Sequence, residues 1–186
     1  MLLSIKQYGD PVLRAQCAPV DVPNPDLLTL AQNMLETMYA AEGIGLAAPQ
    51  VGLSIRMVVI DIPESEDDTP EDTTIIVDGE QRPMRSIMPL IFVNPELEPY
   101  GPPALCREGC LSVRNIRSQV SRPSRVRAKL RLPDGSLLQL DCGGLLARCL
   151  QHECDHLDGF LFTDRVSSAS KVTLAKRLKR LLHFGE

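Results

Sequence analysis

Residues 151–159 read QHECDHLDG, and this stretch predicts a central helix that carries a metal site. His152 and His156 are four residues apart, which places both imidazoles on one face of an α-helix. Glu153 completes the H-E-x-x-H pattern, in which two histidines bind one divalent metal and the carboxylate moves a proton to or from water. The chain has only three histidines, so two of them at this spacing favour metal binding over a chance match.

The composition predicts one domain spanning residues 1–186, with 44% hydrophobic and 24% charged residues. A net charge of −4 and the absence of tryptophan disfavour a protein whose main role is to hold nucleic acid. No apolar run reaches the roughly 18 residues of a membrane helix, and the N-terminus lacks the pattern of a signal peptide. We therefore expect a cytoplasmic location, no membrane contact, and cysteines that are free thiols or metal ligands.

Helical and alternating patterns along the chain predict an α+β fold. Helices are predicted from Asn24-Pro25 to Gly43, near 145–158 and, amphipathic and basic, over 167–183. Strands are predicted at 55–62, at 74–77, at Leu90–Val93 ending at Asn94-Pro95, and as a hairpin of 125–132 and 136–141. The acidic stretch 64–72 predicts a solvated loop and not a metal site. We expect small antiparallel or mixed β-sheets around the central metal-binding helix, with helices near both ends.

The predicted strand 125–132 alternates strictly between apolar and basic side chains. Val126, Ala128, Leu130 and Leu132 share one face, and Arg125, Arg127, Lys129 and Arg131 share the other. An RNA-binding surface is one interpretation of the basic face. The solvated outer face of a half-buried sheet explains it more simply.

The glycine-rich stretch GIGLAAPQ at 43–50 matches the dinucleotide pattern G-x-G-x-x-A. That pattern requires a preceding strand and a helix that begins within it. Here a predicted helix precedes the glycines, and Pro49 prevents a helix from running through them. We therefore predict no dinucleotide site, and from this stretch alone Gln50 is a structural amide in a tight loop.

The third metal ligand separates the hydrolase classes, and both metallopeptidase patterns fail on it. The thermolysin-like pattern needs a downstream glutamate, but the only one after His156 is the last residue, Glu186. The metzincin pattern needs a third histidine at position 162, which is Phe162. Cysteines and aspartates remain as candidates for the third ligand.

Spacing alone does not identify the ligand among the cysteines. Cys154 is predicted to point away from the histidine face, and Cys149 shares the face one turn below, where a small buried residue is expected. Cys110 follows a glycine in a stretch predicted to be extended, so its thiolate can approach the helix from outside. Cys106 and Cys142 satisfy the same spacing argument.

Three stretches together resemble the motifs of the peptide deformylase family. They are GIGLAAPQ at 43–50, EGCLS at 108–112 and QHECDHLDG at 151–159, in the family's order and nearly intact. The similarity extends over the whole chain, although Arg114 stands where relatives commonly have proline. The combination is much more specific than any one of the three motifs.

The resemblance implies a role for each candidate residue. Cys110 becomes the third ligand beside His152 and His156, and Glu153 the catalytic acid and base. Gln50 and the backbone N–H of Leu111 become oxyanion donors. The implied substrate-binding residues are Ile44, Gly45, Glu108, Gly109, Arg117, Leu145 and Cys149.

The resemblance also implies a single catalytic domain with one divalent metal per chain. Fe²⁺ is the first choice, and Zn²⁺, Ni²⁺ and Co²⁺ suit the same ligands. The expected reaction removes the formyl group from N-formylmethionyl nascent peptides and releases formate. Transient ribosome contact through the basic C-terminal helix is a further expectation. The alternatives are a metallopeptidase and a metal-binding relative that docks on a partner without catalysis.

Overall fold

Seven strands form one antiparallel sheet in the computed structural model, which describes residues 1–63 and 74–184. The strands are β1 (Gly45–Ala47), β2 (Met57–Ile60), β3 (Thr74–Val77), β4 (Glu80–Pro83), β5 (Leu90–Cys110), β6 (Val113–Arg131) and β7 (Leu137–Cys142). Their order across the sheet is β1-β2-β5-β6-β7-β3-β4, and every pairing between them is antiparallel. The short strand β1 therefore lies at an edge of the sheet.

Four helices accompany the sheet in the described residues, which agrees with the predicted α+β class. They are α1 (Asp26–Ala40), α2 (Gly144–Leu157), α3 (Phe162–Arg165) and α4 (Ser168–Phe184). The N-cap of α1 is Pro25, one residue after the predicted Asn24, whose side chain accepts the Asp26 N–H at 3.1 Å just before the helix. The Gly43 N–H donates to the Met38 carbonyl at 2.9 Å and closes its end. The predicted bounds of α2 and α4 differ from the structure by one residue at each end.

The long β5–β6 hairpin corrects two predicted strand bounds. The strand beginning at Leu90 does not end at Asn94-Pro95, and its partner begins at Val113 and not at 125. Asn94 takes a positive φ of 46° at a register shift, and its side chain exchanges two hydrogen bonds with the Val20 backbone. Asn94 is accommodated in this β-bulge and does not end the strand. Pairing with β6 resumes at Glu96. The continued hairpin carries Cys110 to the central helix.

Two other predicted segments differ in length or character. The strand predicted at 55–62 is confined to β2, because the β5 segment that pairs with it runs only from Leu90 to Val93. Residues 45–47, predicted as part of a loop, form β1, and a 3₁₀ helix follows at Ala48–Val51. The strand predicted at 74–77 is confirmed. The acidic stretch 64–72 lies outside the described residues.

Strand β2 is buried on both faces and separates two parts of the core. Its Val58 and Ile60 belong to the cluster that includes Leu146 and Leu150 of α2. The alternate residues of β2 pack in the cluster that contains the buried face of α1. As predicted for β6, the apolar residues 126, 128 and 130 are buried and the basic residues 127, 129 and 131 are exposed. Helix α2 is thus held firmly against the sheet.

A third cluster joins helix α4 to the strand that follows the Cys110 turn. Leu174 and Leu181 of α4 are buried with Val113, Ile116 and Val120 of β6, and Cys110 packs against the same group. Within the described residues, no helix has the length and apolar character needed to span a membrane.

Phe92→Ala should lower the free energy of unfolding by about 3–5 kcal/mol, because Phe92 is fully buried between the sheet and α2. Urea unfolding measures the change. Leu137→Ala, at an exposed position of β7, should cost less than about 1 kcal/mol. Equal losses in the two variants would contradict this account of the core.

Candidate metal centre

A cluster of three potential metal ligands forms where α2 meets the end of the β5–β6 hairpin. Cys110, His152 and His156 place their ligand atoms within 4.8 Å of one another. Cys110 Sγ lies 3.3 Å from His156 Nε2. One thiolate and two imidazoles form a donor set that divalent transition metals bind, so these residues fit a metal site. They are called the Cys–His–His cluster below.

The fold shows which of the candidate cysteines lies beside the two histidines. Cys142 is buried in the core between the sheet and α2, and burial raises its pKa to about 12. Cys106 lies further back on β5, and within residues 1–63 and 74–184 it belongs to no group of potential ligands. Cys154 is buried in the same core as Cys142, and within the described residues it is not part of the group that contains the histidines. In the part of the chain that the structure describes, Cys110 at the hairpin turn is the thiol that groups with the two imidazoles.

The charges around the cluster favour a bound cation. Burial, together with nearby His152 and Arg122, lowers the pKa of His156 well below its usual value, which keeps that imidazole neutral. Burial opposes a charge on His152, but hydrogen bonds with Cys110 and Glu108 outweigh it and raise its pKa well above the usual value. The thiol and Glu108 therefore stabilise positive charge at this position, whether a proton or a metal supplies it.

Glu108 orients His152 and is itself held by a buried arginine. Its Oε2 lies 3.0 Å from His152 Nδ1, which leaves Nε2 as the ring nitrogen for a metal. Arg122 donates to both Glu108 oxygens at 2.6 and 3.0 Å, and to Asp155 of α2 at 2.9 Å. Arg165 extends the network by donating to Asp155 at 2.6 Å. A continuous chain of charged hydrogen bonds thus joins the hairpin, α2 and α3.

Arg122 is a functional residue that the motif search missed. Its side chain is 6% exposed. The inward positions of β6 follow a period of two through Val120 and Val126, and Arg122 occupies one of them. A charged residue at an inward strand position requires a buried partner of opposite charge. That pattern is the sequence signal from which Arg122 was predictable.

Glu153 is buried beside the cluster with an unused oxygen. Within the described part of the chain its Oε2 has no hydrogen-bond partner, and burial raises its pKa to about 7. A Cβ atom at Gly45 would lie 2.5 Å from Glu153 Oε1 and 2.9 Å from Cys149 Sγ. Only glycine therefore lets the edge strand β1 approach the carboxylate this closely.

The Gln50 amide is fixed with its donor end towards the cluster. Its Oε1 accepts the Ala47 N–H at 2.8 Å. Its Nε2 donates to Cys110 Sγ at 3.4 Å and to Ser112 Oγ at 3.3 Å. Leu111, next to the ligand cysteine, is held through its carbonyl, which accepts from Gln7 Nε2 at 3.2 Å. Gln50 is fully buried, and its hydrogen bonds fix the orientation of its amide.

A cleft of about 650 Å³ opens over the cluster. It is lined by twelve of the predicted site residues: Ile44, Gly45, Gln50, Glu108, Gly109, Cys110, Leu111, Arg117, Leu145, Cys149, His152 and Glu153. His156 is not in the lining and is 1% exposed. Cys149 is buried, as expected of it from spacing, and it nevertheless borders the cleft. The fold therefore brings all the predicted residues to one place.

The family model described as "Polypeptide deformylase" matches residues 2–172. The chain belongs to this family. Its relatives include a peptide deformylase of Salinibacter ruber, 42% identical over 98% of this chain and 90% of the relative. A peptide deformylase 2 of Gloeobacter violaceus is 45% identical over 95% of this chain and 84% of the relative.

Solved peptide deformylase structures share the fold. A peptide deformylase from Ehrlichia chaffeensis has a TM-score of 0.81 at 32% identity, covering 97% of this chain and 96% of that one. A Met-Ala-Ser-bound class I type b peptide deformylase from Acinetobacter baumannii has a TM-score of 0.75 at 32% identity, covering 89% of this chain and 99% of that one. Membership of the polypeptide deformylase family agrees with the resemblance carried by the three motifs.

Arg122→Gln should lower metal affinity about 10- to 100-fold, because Glu108 loses the partner that fixes it against His152. The same change should lower the free energy of unfolding by about 3–5 kcal/mol, since it leaves a buried carboxylate without its cation. Titration against a competing chelator and urea unfolding measure the two effects. Arg127→Gln, an exposed arginine of the same strand, is the matched control and should change neither substantially.

Proposed function

We propose that this chain is a metal-dependent amide hydrolase that removes the N-formyl group from the initiator methionine of newly made polypeptides and releases formate. The observation that carries the proposal is the Cys–His–His cluster, with buried Glu153 and the Gln50 amide directed at the same point. Family membership and the names of the relatives support it. We propose further that residues 1–186 act as one catalytic domain.

Cys110, His152 and His156 would hold one divalent metal. When bound, the metal supplies a Lewis acid that polarises the formyl oxygen and lowers the pKa of water. Iron, zinc, cobalt and nickel all suit one thiolate and two imidazoles, and we propose Fe²⁺ as the native metal and Zn²⁺ as the second choice. The Glu108 hydrogen bond keeps His152 in the orientation that presents Nε2.

Glu153 moves the proton in the proposed reaction. As a base it accepts a proton from the water that attacks the formyl carbon, and as an acid it donates this proton to the leaving nitrogen. Its raised pKa of about 7 suits both halves of the cycle near neutral pH. Its unpartnered Oε2 is the oxygen available to water.

Gln50 and Leu111 stabilise the negative charge that develops on the formyl oxygen. The Gln50 Nε2 and the Leu111 backbone N–H are the proposed donors, each worth roughly 3 kcal/mol in the transition state. The hydrogen bond between Gln50 Oε1 and the Ala47 N–H fixes the amide before substrate arrives. A donor that is already oriented needs no reorganisation as the charge forms.

The cleft offers room for the methionine side chain and an edge for the peptide backbone. Ile44, Leu145 and Cys149 give its inner part an apolar lining that suits an unbranched thioether. Among the described strands, β1 pairs with β2 alone, so its other edge is where a peptide strand would add. Arg117 packs over Gly109 at the opposite wall, where it would border the bound peptide.

The outer face of α4 supports the proposed partner and location. Lys171, Lys176, Lys179 and Arg180 are exposed on this helix, while Leu174 and Leu181 attach it to β6. A basic exposed face suits transient contact with a polyanion such as the ribosome. We include that contact, and a cytoplasmic site of action, in the proposal.

Purified protein should release formate from formyl-Met-Ala-Ser, and Glu153→Ala should abolish most of that release while the metal remains bound. Cys110→Ala should instead lose the metal, because it removes a ligand. A formate assay and metal analysis of the same samples separate proton transfer from metal binding.

A control peptide that contains an internal amide and no formyl group should remain intact. Its cleavage without formate release would refute the proposal in favour of a metallopeptidase. Retained activity in Glu153→Ala would refute the role given to Glu153 alone.

The iron-loaded enzyme should lose activity in air faster than the nickel- or zinc-loaded enzyme, because ferrous iron beside a thiolate is prone to oxidation. The measurement is the half-life of formate release for protein purified without oxygen and loaded with each metal. Equal half-lives would count against a labile native iron.

A further inference from the structure

Four arginines line the cleft above the Cys–His–His cluster, in a chain whose net charge is −4. They are Arg107 on β5, Arg114 and Arg117 on β6, and Arg148 on α2. Arg148 is half-buried and the other three are exposed. Three separate elements contribute them, so the fold concentrates positive charge at the rim of this cleft.

None of these four guanidinium groups forms an ion pair within residues 1–63 and 74–184. By contrast, Arg122, Arg125 and Arg165 of the same or neighbouring elements are each paired with a carboxylate. Among the described residues, the rim arginines therefore have no carboxylate partner that would compete with an acidic ligand.

The carboxylates of the cleft do not cancel this charge. Glu108 is held by Arg122 and His152, and Glu153 is buried. Glu42, after α1, is the one exposed carboxylate in the described lining. Three exposed arginines against one exposed glutamate leave an excess of positive charge at the cleft opening, and such an excess attracts ligands of opposite charge.

The proposed reaction determines which part of a substrate meets the rim. The formyl carbon must reach the Cys–His–His cluster, so the residues after methionine extend from the cluster towards the opening of the cleft, whose lining includes the exposed arginines. A nucleic acid is the less suitable occupant, because the described lining contains no phenylalanine, tyrosine or tryptophan on which a base can stack. Side chains of the substrate peptide are the groups best placed to meet the rim.

We propose that Arg107, Arg114 and Arg148 select formyl-methionyl peptides with aspartate or glutamate in the positions after methionine. Arg117 is less free to do so, because its Cγ would lie 3.1 Å from a Cβ at Gly109, which shows that it packs along the hairpin backbone. The selection acts on binding of the peptide and not on the chemical step. This inference rests on the proposed deformylase activity.

Two isosteric peptides, formyl-Met-Asp-Glu-Ser and formyl-Met-Asn-Gln-Ser, test the selection in the metal-loaded enzyme. In low salt, the acidic peptide should have a kcat/KM about three- to ten-fold higher, mainly through a lower KM. The advantage should fall towards one as NaCl is raised to about 0.5 M, because salt screens exposed charges. Formate release measures both substrates.

The triple variant R107Q/R114Q/R148Q should reduce the acidic-to-neutral ratio to about one. The charge reversal Arg114→Glu should lower the ratio further and favour formyl-Met-Lys-Lys-Ser, an effect that loss of structure does not produce. Arg131→Gln is the matched control: it removes an exposed arginine of β6 outside the cleft, and the ratio should stay as in the wild type.

An acidic-to-neutral ratio of one in the wild type at low salt would overturn this inference while leaving the deformylase proposal intact. An unchanged ratio in the triple variant would overturn the role of these arginines. If the ratio is one and the triple variant loses affinity for a short single-stranded RNA, the rim is a nucleic-acid surface and the inference is wrong. Formate from neither peptide would overturn the deformylase proposal itself.

Discussion

The buried ion pair between Arg122 and Glu108 connects the sheet to the metal-binding helix. Burial alone raises the pKa of Glu108, but hydrogen bonds with His152 and Arg122 lower it to about 2, so it stays ionised at neutral pH. Arg122 also reaches Asp155 on α2. A pair of charges removed from water is tolerated only when its hydrogen bonds are nearly complete, and these bonds are complete only if the hairpin and α2 lie in one relative position. The geometry of the Cys–His–His cluster follows from that requirement.

The opposite wall of the site depends on a close approach of backbone to carboxylate. At Gly45 the edge strand β1 comes so near Glu153 and Cys149 that no side chain fits between them. Gln50 lies in the short 3₁₀ helix that follows β1, and its side-chain oxygen accepts a hydrogen bond from the Ala47 N–H of the strand. The strand, the Gln50 amide and the buried carboxylate are therefore positioned together by one short segment. Helix α1 and β2 support this segment from behind through buried apolar contacts.

Local patterns predicted helices α1, α2 and α4, but not the short α3, and they predicted the two histidine ligands, because a period of 3.6 residues records which side chains share a face. The third ligand was not predictable from spacing, since Cys110 lies at the end of the β5–β6 hairpin, which meets α2 from a distant part of the chain. The hairpin itself was underestimated because Asn94-Pro95, usually a strand terminator, forms a bulge stabilised by the distant Val20 backbone. Motif resemblance supplied Cys110 and Gln50, whereas Arg122 required attention to inward positions along β6.

The site contains charges of two kinds, and their burial separates their roles. Charges at its base, such as Glu108 and Arg122, are paired, buried and bound by several hydrogen bonds, which suits groups that must hold ligands in place. Arginines at the rim, such as Arg107 and Arg114, are exposed and carry no internal partner in the described chain. An exposed, unpaired charge contributes little to folding, but it acts at long range on a charged ligand. The buried charges at the base of the cleft therefore position the metal ligands, and the exposed arginines at the rim are the groups proposed to select the substrate.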